Sequence, residues 1–438
     1  MSVLSSPPNS AQAESGLNLE PPHFSNLGLA GASLISGFFR KALFLKLASI
    51  RVGWLEIRDA DGIESFGDPN SDLRATIRVH DCIFYRSVAI GGSVGAGESY
   101  VAGAWSCDDL TTLIQIFSRN LEASNRLGGV GNAFMEVARK IKHRFNRNTK
   151  SGSRKNISAH YDLSNDFYEL FLDETMTYSS GVFPSEFASM REASDEKYDR
   201  LCRKLCLSQN DHLLEIGTGW GGFSIHAAKH YGCRITTTTI STQQHAYAER
   251  RFQGEGLQGQ IELLRTDYRD LEGQYDKLVS IEMIEAVGHE YLDTYFQKCS
   301  SLLKPNGLFA LQAITIPDQR YERYRRSVDF IQKHVFPGGF LPSIGAMATS
   351  VGRMTDMNWV HFEDFAEHYA RTLESWREKM FSNLQEIRDL GMSDSFIRLW
   401  EFYLSYCEGA FREKQIGVAQ LLLQKPSNRV SDAYPGLV

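Results

Sequence analysis

The apolar positions of this chain change period several times, and each change marks a segment. Over 35–50 they recur at helical spacing, with Phe38, Phe39, Phe44, Leu45 and Leu47 among Arg40, Lys41 and Lys46. This predicts a helix, packed on its own domain or lying in a membrane interface. Period-two stretches follow at 53–58 and 74–80, with Asp61-Gly62 as a turn between them, and predict a half-buried sheet. The glycine-rich stretch 89–105 lacks the lysine of a phosphate loop and reads as close backbone packing. A helix capped by Asp108 or Asp109 is expected over 108–120. Residues 35–120 therefore read as a small α+β domain. Before them, 1–34 is rich in Ser, Pro, Asn and Gly and is expected to be a disordered tail.

A different rhythm begins at Ser194. Amphipathic 194–207 leads into an apolar strand over 212–216, a glycine turn over 217–222 and a helix to His230. A strand ending Thr238-Thr239-Ile240-Ser241 comes next. A helix (244–251), strands (261–264 and 275–281), a helix (291–303) and a strand (308–314) then alternate. That alternation predicts an α/β fold, a Rossmann-like doubly wound parallel sheet with its ligand at the carboxyl ends of the strands. Residues 320–342 mix aromatics, cations and a Pro-Gly-Gly turn, and suggest a lid or acyl channel inserted over the site. Long amphipathic helices are expected over 362–423. The segmentation is thus 35–120, a connecting stretch 121–156, a catalytic domain 157–425 and a tail 426–438.

Charge sharpens this picture. The 438-residue chain is 42% apolar and 23% charged, enough for two or three ordinary domains. A net charge of −6 argues against nucleic acid as a partner. Yet Arg139, Lys140, Lys142, Arg144, Arg147, Lys150, Arg154 and Lys155 follow one another with no acid among them. They suit a solvated linker or a seat on anionic lipid, where each cation contributes about 1 kcal/mol. Seven scattered cysteines without a CxxC pair predict neither a disulfide framework nor a metal site, and fit a reducing compartment. Cys202 and Cys206 read as small buried apolar groups. There is no run of eighteen apolar residues and no secretory pattern at the start, so membrane contact is expected to be peripheral.

The chemistry centres on Gly217-Thr218-Gly219-Trp220-Gly221-Gly222. Glycines permit a tight turn and let a ligand approach bare backbone, and the following helix offers unpaired N–H groups. The turn could also serve only to pack helix on strand. Dinucleotide enzymes want an acid at the end of the second strand for the ribose, and none stands there. With Glu215 ahead of it, LLEIGTGWGG resembles the first motif of class I S-adenosylmethionine methyltransferases.

Further stretches carry a more specific resemblance. HYDLSNDFYELFLDETMTYSSGVF, LLEIGTGWGG, TISTQQ, TDYRDL, SIEMIEAVG, FPGGFLPS and YLSYCEGAF occur in the order found in the cyclopropane-fatty-acyl-phospholipid synthase family. The likeness covers 155–425, and 35–120 looks like that family's N-terminal domain. It implies methylene transfer from S-adenosylmethionine to a cis double bond of a membrane phospholipid acyl chain. Tyr178, Ser179, Gly217, Gly219, Thr239, Ile240, Gln244, Asp267 and Tyr268 would hold the cofactor. A bound bicarbonate would be the base, held by Glu285, Tyr369 and the backbone at Ile314. Ser180 and Gln312 stand where the family has cysteine and histidine, which puts that base in question. Cys407 matches a family cysteine, either catalytic or a buried structural thiol. Glu282 is a rival carboxylate to Glu285, or simply a helix cap.

Other readings stay open. The same fold could make methyl- or methylene-branched acyl chains, methylate the nitrogen of a small molecule, or bind lipid without catalysis. The expected partners are phospholipid acyl chains and an anionic membrane surface, in a cytoplasmic protein peripheral to the membrane. A homodimer is neither implied nor excluded.

Overall fold

The structure is a computed structural model that describes residues 29–120 and 164–429, with side chains from residue 36. The stretch 121–163 with its basic cluster, most of the N-terminal tail, and 430–438 lie outside the described residues.

The N-terminal part is built on a four-stranded sheet of β1 (Trp54–Asp59), β2 (Gly62–Gly67), β3 (Arg74–Val79) and β4 (Trp105–Cys107), in the order β2-β1-β3-β4. The period-two pattern explains which face is inside. Leu55, Ile57, Ala75 and Ile77 are buried, and their neighbours face outward. Helices Leu29–Leu47 and Leu110–Arg119 pack with this sheet in one core. The second starts where the sequence predicts, since the Asp109 side chain accepts the Thr112 N–H at 2.9 Å.

The glycine-rich stretch is a helix as well as a packing surface. Ile83–Val101 is helical and bends at Gly92, whose φ is 57°. A Cβ on Gly97 would stand 2.4 Å from the Phe330 ring and 2.8 Å from that of Phe402. Only a bare backbone lets this helix approach so closely.

The larger sheet holds β5 (His212–Ile216), β6 (Arg234–Thr238), β7 (Ile261–Leu264), β8 (Tyr275–Ile281), β9 (Leu303–Thr315), β10 (Asn358–Asp364) and β11 (Gly417–Gln424). Their order is β10-β11-β9-β8-β5-β6-β7. The strands from β5 to β9 run parallel, and β11 and β10 add antiparallel to one edge. The chain winds from β5 through β6 to β7, then crosses to β8 on the other side of β5. That reversal creates the crevice in which open α/β sheets bind ligands.

One expectation needs correction. The sequence predicts helices throughout 362–423, and three are present, Ala366–Ser382, Leu384–Asp389 and Asp394–Arg412. The ends of that stretch, however, are β10 and β11. Val418 to Leu423 are buried without a break, so the run carries no alternation to mark it as a strand.

The N-terminal sheet shares one apolar core with the helices Ala366–Ser382 and Asp394–Arg412, and that core reaches the larger sheet at Val418 of β11. The helix Asp394–Arg412 stands between the two sheets. Its Phe402 ring packs 5.7 Å from Tyr100, and its Glu401 and Glu408 accept from the hydroxyls of Tyr100 (2.6 Å) and Thr111 (3.0 Å). The N-terminal part is thus fastened to the wall of the site.

Candidate active site

A cavity of about 1530 Å³ opens at the carboxyl ends of β5, β6 and β8. The glycine turn forms its floor. Gly219 has φ 52°, and no atom lies within 4 Å of where its Cβ would stand, so a ligand can lie on the peptide. Gly221 has φ 89°, and its Cβ would meet the Phe252 ring at 2.7 Å. The first is glycine for the ligand, the second for the fold. Glu215, ahead of the turn, accepts Thr237 Oγ1–H at 2.6 Å and ties β5 to β6. Burial raises its carboxyl to about 7.

The residues expected to hold the cofactor converge on this cavity. Tyr178, Ser179, Gly217, Gly219, Thr239, Ile240, Gln244, Asp267 and Tyr268 all line it. Thr239 Oγ1 donates to Gln244 Oε1 at 3.0 Å, which orients that amide. Tyr178 stacks on Trp376 with ring centroids 5.1 Å apart. Ser179 Oγ accepts from Lys197 Nζ at 2.6 Å. Asp267 also has a partner within the chain. Arg269 grips its carboxylate through Nε (2.8 Å) and Nη2 (2.7 Å), so its oxygens already have a strong donor.

The catalytic expectation changes. The sequence pairs Tyr369 with Glu285; the structure pairs it with Glu282. Tyr369 O–H donates to Glu282 Oε2 at 2.7 Å, Ser180 N–H to Oε1 at 2.9 Å, and Gln312 Nε2–H to Oε1 at 2.8 Å. The Gln312 amide is oriented from behind, because its Oε1 accepts from Gln420 Nε2 at 3.0 Å. The Gln420 Oε1 in turn accepts from Lys204 Nζ at 2.7 Å. Glu282 itself has φ 49°, a left-handed conformation unusual for glutamate and of the kind that collects at functional sites. Burial raises its carboxyl. The Tyr369 and Gln312 hydrogen bonds, the positive charge of Lys197 and the Ser180 N–H oppose that rise.

Glu285 has a separate partner. Its Oε1 accepts the Ile314 N–H at 2.5 Å, and its Oε2 is buried without a hydrogen bond. Burial, reinforced by the neighbouring Glu282, pushes its carboxyl up to about 8. At pH 7 that shift favours the neutral form.

These bonds decide the fit of bicarbonate. Every donor expected around that anion is engaged by a carboxyl group of the chain, and the Glu282 side chain stands among them. Ser180 contributes only its N–H, since its hydroxyl donates to Gly181 O at 3.0 Å. Ser180 and Gln312 lie behind the wall rather than on it. The bicarbonate site does not fit this arrangement. Cys407 lines the cavity, but burial raises its thiol and leaves it a poor nucleophile. The signal for Glu282 was its place at the end of β8. Its partners, however, come from three distant segments.

Comparison with known proteins identifies the family. Residues 148–421 match the family described as mycolic acid cyclopropane synthetase. The chain belongs to that family. Tuberculostearic acid methyltransferase UfaA1 of Mycobacterium tuberculosis is 37% identical over 345 residues, 77% of this chain and 80% of that protein. Cyclopropane-fatty-acyl-phospholipid synthase of Escherichia coli is 35% identical over 81% of this chain and 89% of its own length. Among solved structures, cyclopropane synthase MmaA2 from Mycobacterium tuberculosis superposes with a TM-score of 0.58 at 30% identity, covering 62% of this chain and 98% of its own. CmaA1 complexed with SAH and CTAB gives the same values. This family member is thus an S-adenosylmethionine-dependent methyltransferase that modifies acyl chains. Its cofactor is S-adenosylmethionine, and the open floor at Gly219 suits it.

Proposed function

We propose that the chain adds one carbon to the cis double bond of an unsaturated phospholipid acyl chain and closes a cyclopropane ring. The observation that carries this reading is the Glu282 carboxylate, held by three donors on the wall of a largely apolar cavity.

When bound, S-adenosylmethionine supplies an electrophilic methyl group. The residues of the chain do the rest. Met283, Phe336, Phe340 and Leu373 give the cavity apolar walls, which keep water from a cationic product. That cation has to lose a proton before it becomes stable. The Glu282 carboxylate accepts the proton, and the Tyr369 hydroxyl and the Gln312 amide hold it in place. Glu285, protonated, adds no second negative charge beside it.

A second reading has an observation of its own. The relative named for tuberculostearic acid is as similar to this chain as the phospholipid synthase is. A base fixed to the strand end could equally take the proton after the cation has shifted along the chain, leaving a methylene branch. Approach to the lipid is at the membrane surface in either case; among the described residues no helix is long and apolar enough to cross a membrane.

The test is mass spectrometry of oleoyl phospholipids after incubation with labelled methyl donor. Gain of one methylene unit supports both readings, and ozonolysis separates them. A ring survives ozone, whereas an exocyclic methylene is cleaved. No labelled phospholipid would reject both.

A further inference from the structure

Among the described residues, two cations on the rim of the cavity have no counter-ion. Arg320 and Arg323 lie three residues apart on the helix Asp318–Tyr324, so they share a face, and both line the cavity. Arg320 donates to the backbone oxygen and to Oε1 of Gln415, each at 2.7 Å. Among the described residues neither arginine has an ion-pair partner. The nearby acids are held elsewhere. Glu322 pairs with Arg325 at 2.7 Å and Arg326 at 3.2 Å, Asp318 accepts the Gly345 N–H at 3.0 Å, and Asp329 accepts the Gln332 N–H at 2.8 Å. Other arginines on the same cavity are neutralised, Arg119 by Glu413 and Arg269 by Asp267. Two guanidiniums side by side repel each other, and an anion between them would relieve that repulsion.

We propose that Arg320 and Arg323 form a phosphodiester seat, which takes the headgroup phosphate of the phospholipid whose acyl chain enters the cavity. The inference rests on the phospholipid acyl-chain reading above and adds the residues that would hold its headgroup. A guanidinium fork matches two phosphate oxygens at once. The surroundings favour a lipid over a carrier protein. Phe38 (69% exposed) and Phe117 (36% exposed) line the same cavity and reach the surface, giving it a greasy lip. A bilayer supplies both halves of that match, with its phosphates outside its acyl chains.

The test uses the full chain and neutral detergent micelles, which remove bulk attraction to a charged surface. Wild type and the double variant Arg320→Gln/Arg323→Gln receive dioleoylphosphatidylcholine or dioleoylglycerol, which has the same chains without the phosphate. The variant should raise KM for the phospholipid about tenfold or more, as expected for lost charge-assisted hydrogen bonds. Its kcat, its kinetics on dioleoylglycerol, its cofactor affinity and its thermal midpoint should hold. Arg323→Lys should fall between, because it keeps the charge and loses the fork. An equal rise in KM on both lipids, or no rise on either, overturns the seat. So does an effect confined to an oleoyl thioester on an acyl carrier protein. If wild type converts neither lipid, the acyl-olefin reading fails instead. Calorimetry with dihexanoylphosphatidylcholine then judges the seat, with heat expected from wild type and none from the variant. Equal heat from both, or none from either, overturns it.

Discussion

The Tyr369 hydroxyl donates to the Glu282 carboxylate at 2.7 Å, joining the helix Ala366–Ser382 to the end of β8. Burial raises the proton affinity of this carboxyl while three donors and Lys197 oppose the rise, a balance that suits a group meant to receive a proton. Glu282→Gln should therefore lower turnover by about 10²–10⁴-fold, the range for loss of a general base. Cofactor affinity, read by calorimetry, should stay the same. Wild-type turnover should not respond to bicarbonate depletion. Glu282→Ala frees the donors, so added bicarbonate or formate should restore part of the activity. Full activity in Glu282→Gln would remove this residue from the reaction.

Glu285 makes a claim about pH. Its carboxyl titrates near 8 in the folded chain and near its ordinary 4.5 when unfolded. Between those values the folded state keeps a proton that the unfolded state has released. Stability from this group is therefore full below about 4.5 and falls as pH rises towards about 8. Glu285→Gln carries no such proton. Urea midpoints at several pH values across that window should show the variant gaining on wild type as pH rises. Glu215, raised to about 7, contributes a slope of the same sign to both proteins and cancels in the difference. Lys197, lowered to about 8, acts only above the window. A difference that stays flat with pH would mean that Glu285 is ionised throughout.

The glycine turn separates binding from folding. Gly219→Ala places a methyl group in the space where a ligand would lie, and Gly221→Ala drives one into the Phe252 ring. Both need a left-handed backbone, which costs about 1–2 kcal/mol in either variant. Beyond that shared cost, Gly219→Ala should weaken cofactor binding, read by calorimetry. Gly221→Ala should lower the thermal midpoint further, since overpacking adds about 1–3 kcal/mol. If the two variants lose affinity and stability alike, the division of labour is wrong.

The parts legible in the sequence were those whose cause is local. The turn at 217–222 needs glycine for its own backbone, and the alternation through 212–315 is a pattern of neighbours. What stayed hidden depends on distant contacts. Glu282 and Glu285 lie three residues apart in one motif. Which of them meets Tyr369 depends on the left-handed turn at Glu282 and on Ser180 and Gln312, contributed by other segments. Strand β11 was missed for a different reason. It is buried on both faces, and without alternation a short apolar run looks the same as a buried helix.

The N-terminal part should prove to shape the lipid end of the cavity. Gly97 lies against Phe330, and the flanking Ile331 and Gln332 line the cavity. The next residue, Glu98, accepts from His334 Nε2 at 2.9 Å and from Lys333, so the same helix holds this segment by charge as well as by shape. Gly97→Ala would bring a methyl group within 2.4 Å of the Phe330 ring, and that ring would have to move. The expected cost is about 1–3 kcal/mol in urea unfolding, typical of overpacking. The displacement should also raise KM for lipid. Cofactor affinity should be spared, because Gly217 and Gly219 lie on a different wall. Replacing Phe330 by Leu in the same chain should relieve the clash and recover part of both losses. If Gly97→Ala loses stability while KM for lipid stays at the wild-type value, the N-terminal part supports the fold without shaping the channel.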